Sequence, residues 1–277
     1  MPELPEVQTI VTTIAPSLLG RRFDAILHLR GDIVQPAGFD LAAALTGRRI
    51  VDLTRRGKKI ILTLDDHNRL FIHLGMTGRL VIVPPHHPVE PHTHLIATIG
   101  PMQLRFRDPR RFGGIFWLGT TTPPDENLGP EPLALRVHQL AAHLAEHLAS
   151  TRRTIKSAIL DQSLLAGLGN IYVDESLYEA QIHPATIAST LTKPQIAALA
   201  KAIQKTLRKA ITHRGSTLRD YRDPNGQPGR FQSLHRVYDR KGEPCPRCKT
   251  AIQRIVQSGR GTHFCPKCQP KRGRRGR

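Results

Sequence analysis

Val7, Ile10, Val11, Ile14 and Leu18 recur at three- and four-residue intervals, the spacing that gathers apolar side chains on one helical face. Gly20 stands where such a helix stops. Pro2, Glu3 and Glu6 open the segment; proline suits a first helical turn, and carboxylates suit its positive end. From about 21 to 118 the period changes to two. Met102, Leu104 and Phe106 alternate with Gln103, Arg105 and Arg107, Leu70, Ile72 and Leu74 flank Phe71 and His73, and KKIILTL is a β-rich run. TTTPPDENLGPEP has no period and breaks the pattern.

Helical spacing then returns. Val137, Leu140, Leu144 and Leu148 share a face, a short helix is expected over 154–160, and another begins at Ile171 after the turn LAGLGN. A Thr192…Gln195 capping box opens a longer helix with Ile196, Leu199, Ile203 and Leu207 aligned. The glycine-rich turn between two helices would let backbone amides approach a phosphate. A polar stretch over 215–229 reads as a functional loop. The pattern therefore predicts an α+β chain: 1–120 an N-terminal domain of strands with a leading helix, 121–132 a linker, and 133–236 a helical domain. A cysteine hairpin over 237–269 and a basic, disordered tail over 270–277 complete it.

At 277 residues the chain has room for two cores, and no apolar run approaches membrane-spanning length. No export signal is legible at the start. Forty-one Lys and Arg against 22 carboxylates give a net charge of +19, which a polyanion such as nucleic acid would offset. The four cysteines form CPRC and CPKC, sixteen residues apart. Cys245, Cys248, Cys265 and Cys268 at that spacing can close a tetrahedral zinc site with all four positions filled, so one structural Zn2+ is expected. Two disulfides would need an oxidising compartment.

MPELPEV, RRGKK, HLGMTG, DPRRFGG, LGPEPL, GLGNIYVDE and RKGEPCPRC…CPKC stand in that order. In this the chain resembles bacterial formamidopyrimidine-DNA glycosylase, from Pro2 to Cys268. The resemblance implies a two-sheet β-sandwich, a helical domain with a helix–two-turn–helix element, and a zinc finger. It also implies a monomeric, cytoplasmic repair enzyme that excises oxidised purines such as 8-oxoguanine from duplex DNA and cuts the abasic strand by β,δ-elimination. On this resemblance Pro2 is the nucleophile, Glu3 an acid/base, Glu6 an orienting carboxylate and Lys58 a cation beside the reacting centre, while Lys59 reads as solvated. His73, Lys156, Asn170, Tyr238 and Arg260 would contact DNA. Met76, Arg110 and Phe112 would fill the gap left by an extruded nucleotide.

Several bland readings compete. Glu6 can be simply a first-turn acid, His73 a strand histidine, and Met76 and Phe112 core residues. Asp239 stands where the family usually has glycine, which sets a carboxylate beside Tyr238. The 215–229 loop matches the family only at its flanks. As whole-chain alternatives, an endonuclease VIII-like enzyme for oxidised pyrimidines shares the proline, the glutamates and the zinc finger, and a non-enzymatic zinc-ribbon nucleic-acid binder would satisfy the basicity and the cysteines.

Overall fold

The computed structural model describes residues 2–123, 127–218 and 221–271. The expected disordered tail falls, from 272 onward, outside them. The chain forms two compact units, Met1–Glu126 with His213–Gln232, and Asn127–Thr212 with Ser233–Arg277. The sequence pattern kept 133–236 together, whereas 213–232 belongs with the N-terminal unit. The cause is local. The Ser216 N–H donates to Glu6 Oε1 at 2.7 Å, the Tyr221 hydroxyl reaches the Glu6 carbonyl at 3.4 Å, and the Tyr221 ring packs on the sandwich core.

In the first unit, helix α1 (Leu4–Leu18) buries Val7, Ile10, Val11, Ile14 and Leu18, the face that the spacing predicts. Two sheets follow. Strands β1 (Ala25–Leu29), β6 (Arg79–Val83), β7 (Thr93–Ile99) and β8 (Met102–Arg107) form one in the order β1-β7-β8-β6. The other contains β2 (Val34–Gln35), β3 (Ile50–Arg56), β4 (Lys59–Leu64), β5 (Arg69–His73) and β9 (Gly114–Gly119) in the order β2-β9-β5-β4-β3, with a short helix α2 (Leu41–Leu45) beside the sandwich. Cross-strand pairs such as Leu80↔Phe106 and Ile60↔Ile72 turn both alternating sets into one core with α1. Each buried Leu, Ile or Phe there contributes about 1.5–3 kcal/mol.

Two polar residues of the alternating set, Gln103 and Arg105, are buried on the face expected to meet solvent. Arg105 is buried, because its guanidinium donates to the carbonyls of His87 and Pro88 at 3.0 and 2.9 Å and to Gln103 Oε1. The loop after β6 is thus folded back over the outer side of the four-stranded sheet.

The second unit has helices α3 (Val137–Leu148), α4 (Ile155–Ile159), α5 (Asn170–Glu179) and α6 (Lys193–Thr212), and a hairpin of β10 (Gln253–Gln257) and β11 (Arg260–Phe264). Helices α3 and α5 both pack on α6. The capping box at its start is formed, with the Thr192 N–H on Gln195 Oε1 at 3.0 Å. Gln162 ties the turns between α4 and α5. Its amide donates to the carbonyls of Leu160 and Leu168, and its oxygen accepts the Gly167 N–H. Helix α5 is buried on nearly every side, Asp174 and Glu175 included. Among the described residues, no helix is long and apolar enough to cross a membrane.

Candidate active site and nucleic-acid interface

Pro2 and Glu3 lie immediately before α1, and both are buried. Glu6, 1% exposed, binds two chain segments at once. Its Oε2 accepts the Glu3 N–H at 2.8 Å, while Oε1 takes the Ser216 N–H. Gly215 takes a positive φ of 73°, and a Cβ there would stand 2.4 Å from Glu6 Oε1, so no other residue can replace this glycine without displacing the carboxylate. The described residues of the loop that Glu6 holds are tied to one another. Gly229 closes its neck against Gly215, and Asp223 Oδ1 accepts the N–H groups of Asn225 and Gln227.

Lys58 occupies the tight turn joining β3 to β4, where Gly57 takes a positive φ of 58°. His73 lies on β5 opposite Lys59. Burial lowers the pKa of His73 below the ordinary imidazole value, and the charges of Lys58 and Lys59 act the same way. A hydrogen bond with the Lys58 backbone opposes them. The ring is therefore neutral near pH 7 and offers a hydrogen bond rather than a charge. Lys59 is half-buried rather than solvated, with its ammonium 4.2 Å from the centroid of the Phe71 ring.

Met76 and Phe112 are 42% and 56% exposed, which excludes the core reading for both. They project from two adjoining loops. The Arg110 guanidinium lies over the Phe112 ring at 4.6 Å, so these two side chains share one surface.

In the second unit Asn170 opens α5 and donates from Nδ2 to the Gly261 carbonyl at 2.9 Å and to the Tyr238 hydroxyl at 3.5 Å. Arg260 is exposed at the start of β11, just past a two-residue turn whose Ser258 and Gly259 both take positive φ. Asn170, Tyr238 and the hairpin strand bearing Arg260 are thereby assembled together. Lys156 requires a correction. Expected as a DNA contact, it is 1% exposed, and its Nζ donates to Asp174 Oδ1 at 2.7 Å and to the Gly261 carbonyl at 3.1 Å. Extracting one member of a buried pair costs roughly 3–5 kcal/mol. Lys156 is thus a brace from α4 to the hairpin, and Asp174 completes it by accepting the His263 N–H.

Glu175 has no counterpart in the sequence reading. Its carboxylate accepts the backbone N–H groups of Arg236, Val237 and Tyr238 at 2.9–3.0 Å. The neighbouring Asp239 takes φ +59°, the left-handed conformation that glycine adopts without strain and that Asp and Asn tolerate better than other residues. That geometry accounts for both the usual glycine and the acceptability of aspartate here.

The four cysteine sulfurs lie within 4.8 Å of one another, with Cys245–Cys268 at 3.8 Å and Cys248–Cys265 at 3.4 Å. Tetrahedral thiolates at ~2.3 Å from a zinc ion would stand ~3.8 Å apart. The donor set and its spacing therefore fit that ion, with each CxxC at one foot of the hairpin. The cluster is seated on α5 through Tyr178, whose hydroxyl lies 3.2 Å from the Cys245 sulfur, and through Arg247 paired with Glu179 at 2.8 Å.

These features define an α+β protein with a proline-and-glutamate corner in one unit and a four-thiolate hairpin in the other. The chain belongs to the formamidopyrimidine-DNA glycosylase family. Residues 1–115 match the family's N-terminal domain, 128–222 its H2TH domain, and 242–271 the zinc finger found in FPG and IleRS. Formamidopyrimidine-DNA glycosylase of Chloroflexus aggregans is 45% identical over 97% of this chain and 98% of its own. That of Polynucleobacter necessarius is 40% identical over 98% and 100%. Among solved structures, Lactococcus lactis Fpg in complex with abasic-site DNA superposes with a TM-score of 0.90 at 36% identity, covering 97% of this chain and all of that one. The Thermus thermophilus protein gives 0.87 at 38%, covering 98% and 100%.

Proposed function

We propose that this protein excises oxidised purines, formamidopyrimidines and 8-oxoguanine, from duplex DNA through Pro2 and then cleaves the abasic strand. The observation that carries this reading is the N-terminal corner, where Pro2 stands next to two buried carboxylates at the positive end of α1. With Met1 removed, Pro2 presents a secondary amine. An ordinary α-amino group titrates at ~7.7–8.0, so part of it is neutral near pH 7, and the helix end disfavours its protonation further. The amine nitrogen attacks sugar C1′, the bond from C1′ to the base nitrogen breaks, and the base leaves with a proton. Loss of the nitrogen's own proton and opening of the sugar ring leave an iminium. In this reading Glu3 exchanges the ring-oxygen proton and Lys58 offsets negative charge nearby. The iminium draws electrons from the C2′–H bond, so loss of that proton expels the 3′ phosphate, and loss of the C4′ proton from the resulting unsaturated iminium then expels the 5′ phosphate.

Glu6 holds the Glu3 backbone and the Ser216 loop in place for this chemistry. Met76, Arg110 and Phe112 occupy the gap in the stack once the damaged nucleotide is turned out. His73, Asn170, Tyr238 and Arg260 hold the phosphate backbone. Cys245, Cys248, Cys265 and Cys268 hold one zinc ion, which supplies folding energy to the hairpin that presents Arg260. The protein acts as a monomer on damaged double-stranded DNA in the bacterial cytoplasm.

Borohydride reduction during turnover tests the reading. On a duplex containing 8-oxoguanine, peptide mapping should place the trapped DNA on the N-terminal peptide, and an uncleaved N-terminal extension should abolish trapping, because an amide nitrogen is not a nucleophile. An adduct on a lysine would overturn the assignment. One Lactococcus lactis neighbour is bound to DNA with an oxidised pyrimidine. A parallel duplex with such a base therefore belongs in the test, and preference for it would overturn the purine assignment.

A further inference from the structure

The loop 74–78, which carries Met76, and the loop 108–113, which carries Arg110 and Phe112, are locked to one another through a single carboxylate. Asp108 is 0% exposed. Its Oδ1 accepts the Thr77 hydroxyl at 2.5 Å and the Arg110 N–H at 3.3 Å, while Oδ2 accepts the Gly113 N–H at 2.7 Å. Its carbonyl lies 2.9 Å from His94 Nε2 on β7, which fixes the residue to the four-stranded sheet. The loops also meet backbone to backbone. A Cβ on Gly75 would fall 2.5 Å from the Gly113 nitrogen, and one on Gly113 would fall 2.5 Å from the His73 carbonyl oxygen.

We propose that Asp108 is a positioning residue for extrusion of the damaged nucleotide, fixing the Met76 loop and the Arg110–Phe112 loop as one wedge. The proposal rests on the reading of those three side chains given above. The physical requirement is definite. Side chains that replace a base must enter the duplex together, because a gap filled only in part leaves a base step unstacked. Three exposed side chains on two independent loops would lose conformational entropy on entry. A shared buried acceptor removes much of that freedom in advance. Thr77 is the only bridge in this set made by a side chain of the Met76 loop, so it is the point at which the two loops can be uncoupled with least damage.

The test compares excision of 8-oxoguanine from a duplex with nicking of a pre-formed abasic site, both under single turnover. Thr77→Val keeps the shape and removes the donor, and should slow excision about fivefold while slowing nicking less. Asp108→Ala should slow excision tenfold or more. Asp108→Asn should recover part of the loss, since its amide oxygen can take the Gly113 N–H and its NH2 can donate to the Thr77 hydroxyl. Adding Asp108→Ala to a Met76, Arg110, Phe112 triple alanine variant should cost excision little beyond the triple. Equal loss of both activities in Thr77→Val, or normal excision by it, would overturn the proposal, and Thr77→Val decides alone if Asp108→Ala does not fold. If the triple variant itself excised normally, the reading of the three side chains would fail, and the role of Asp108 with it.

Discussion

Glu6 and Glu175 solve the same problem in different units, and they solve it differently. Each is a buried carboxylate that fixes a segment distant in sequence by accepting backbone N–H groups. Glu6 divides its oxygens, with Oε2 on Glu3 and Oε1 on Ser216. Glu175 concentrates them, since Oε1 takes Val237 and Tyr238 and also shares Arg236 with Oε2. A carboxylate can accept on both oxygens, but an amide can accept on only one. The contrast shows that two acids with the same burial and the same type of partner need not respond alike to a conservative change.

The largest effect should come from removing Glu175. Glu175→Ala strands three N–H groups, that of Val237 fully buried and the other two partly, at about 1–3 kcal/mol each before water relieves them, so a loss of roughly 3 kcal/mol or more is expected. Differential scanning calorimetry should show the Tm falling by several degrees. Burial raises the pKa of Glu175, and the three N–H bonds pull it back only in part. Glu175→Gln, which keeps the acceptor that serves most of the donors, should therefore retain most of the stability. A Gln variant as unstable as the Ala variant would show that the charge itself is required.

Next comes the segment that Glu175 pins. Burial depresses His235 from 6.5 to about 4. The imidazole is neutral when folded, so its stabilising share is fully present above pH 6.5, and is lost as pH falls from there to about 4, on the order of 3 kcal/mol in all. Acid also protonates the thiolates, so the measurable quantity is the difference between wild type and His235→Gln in urea denaturation across that window. The wild type should lose the additional stability on acidification. Parallel curves would place His235 in water.

Glu6→Gln should cost less stability, about 1–2 kcal/mol, yet more function than its size implies. One of its two donors must face an NH2 group, so either the Glu3 backbone or the Ser216 loop is released. Excision should fall at least tenfold while DNA affinity changes little, as read by single-turnover rates and by fluorescence anisotropy. Rates within twofold of wild type would return Glu6 to the role of an ordinary first-turn acid.

Much of this was legible in the sequence where period and chemistry coincided. The α1 face, the Thr192–Gln195 cap and the cysteine spacing each follow from local rules, and the structure bears them. What was not legible depends on partners far along the chain. Arg105 looks like an outward strand residue until the carbonyls of 87 and 88 fold back over it. Lys156 has the composition of a phosphate contact, and Asp174, eighteen residues on, together with the Gly261 carbonyl turns it inward. A signal was available. A lysine at the start of a helix otherwise made of Ile, Ser and Ala, and adjacent acids in a helix without a polar face, both call for buried partners. The 213–232 segment sat in the helical domain by sequence order, and nothing periodic in it pointed to Glu6.

The smallest effect concerns Asp239, and it separates conformation from charge. At φ +59° an aspartate is tolerated, but glycine carries no steric penalty, so Asp239→Gly should relieve some strain while giving the unfolded chain more freedom. These terms oppose, and the net stability change should stay within about 0.5 kcal/mol. The charge has no such counterweight. Asp239 is exposed and adjoins Tyr238, which shares Asn170 with the hairpin strand of Arg260, so a carboxylate there repels any phosphate these residues hold. Its removal should tighten duplex binding two- to threefold at low salt, and the gain should fade as the Debye length shrinks from ~10 Å at 0.1 M toward ~3 Å at 1 M. Asp239→Asn should reproduce the gain, because it removes the charge and keeps the tolerance for positive φ. If only glycine tightens binding, the effect is conformational. If neither does, the phosphates run elsewhere, and Tyr238 is a packing residue of the second unit.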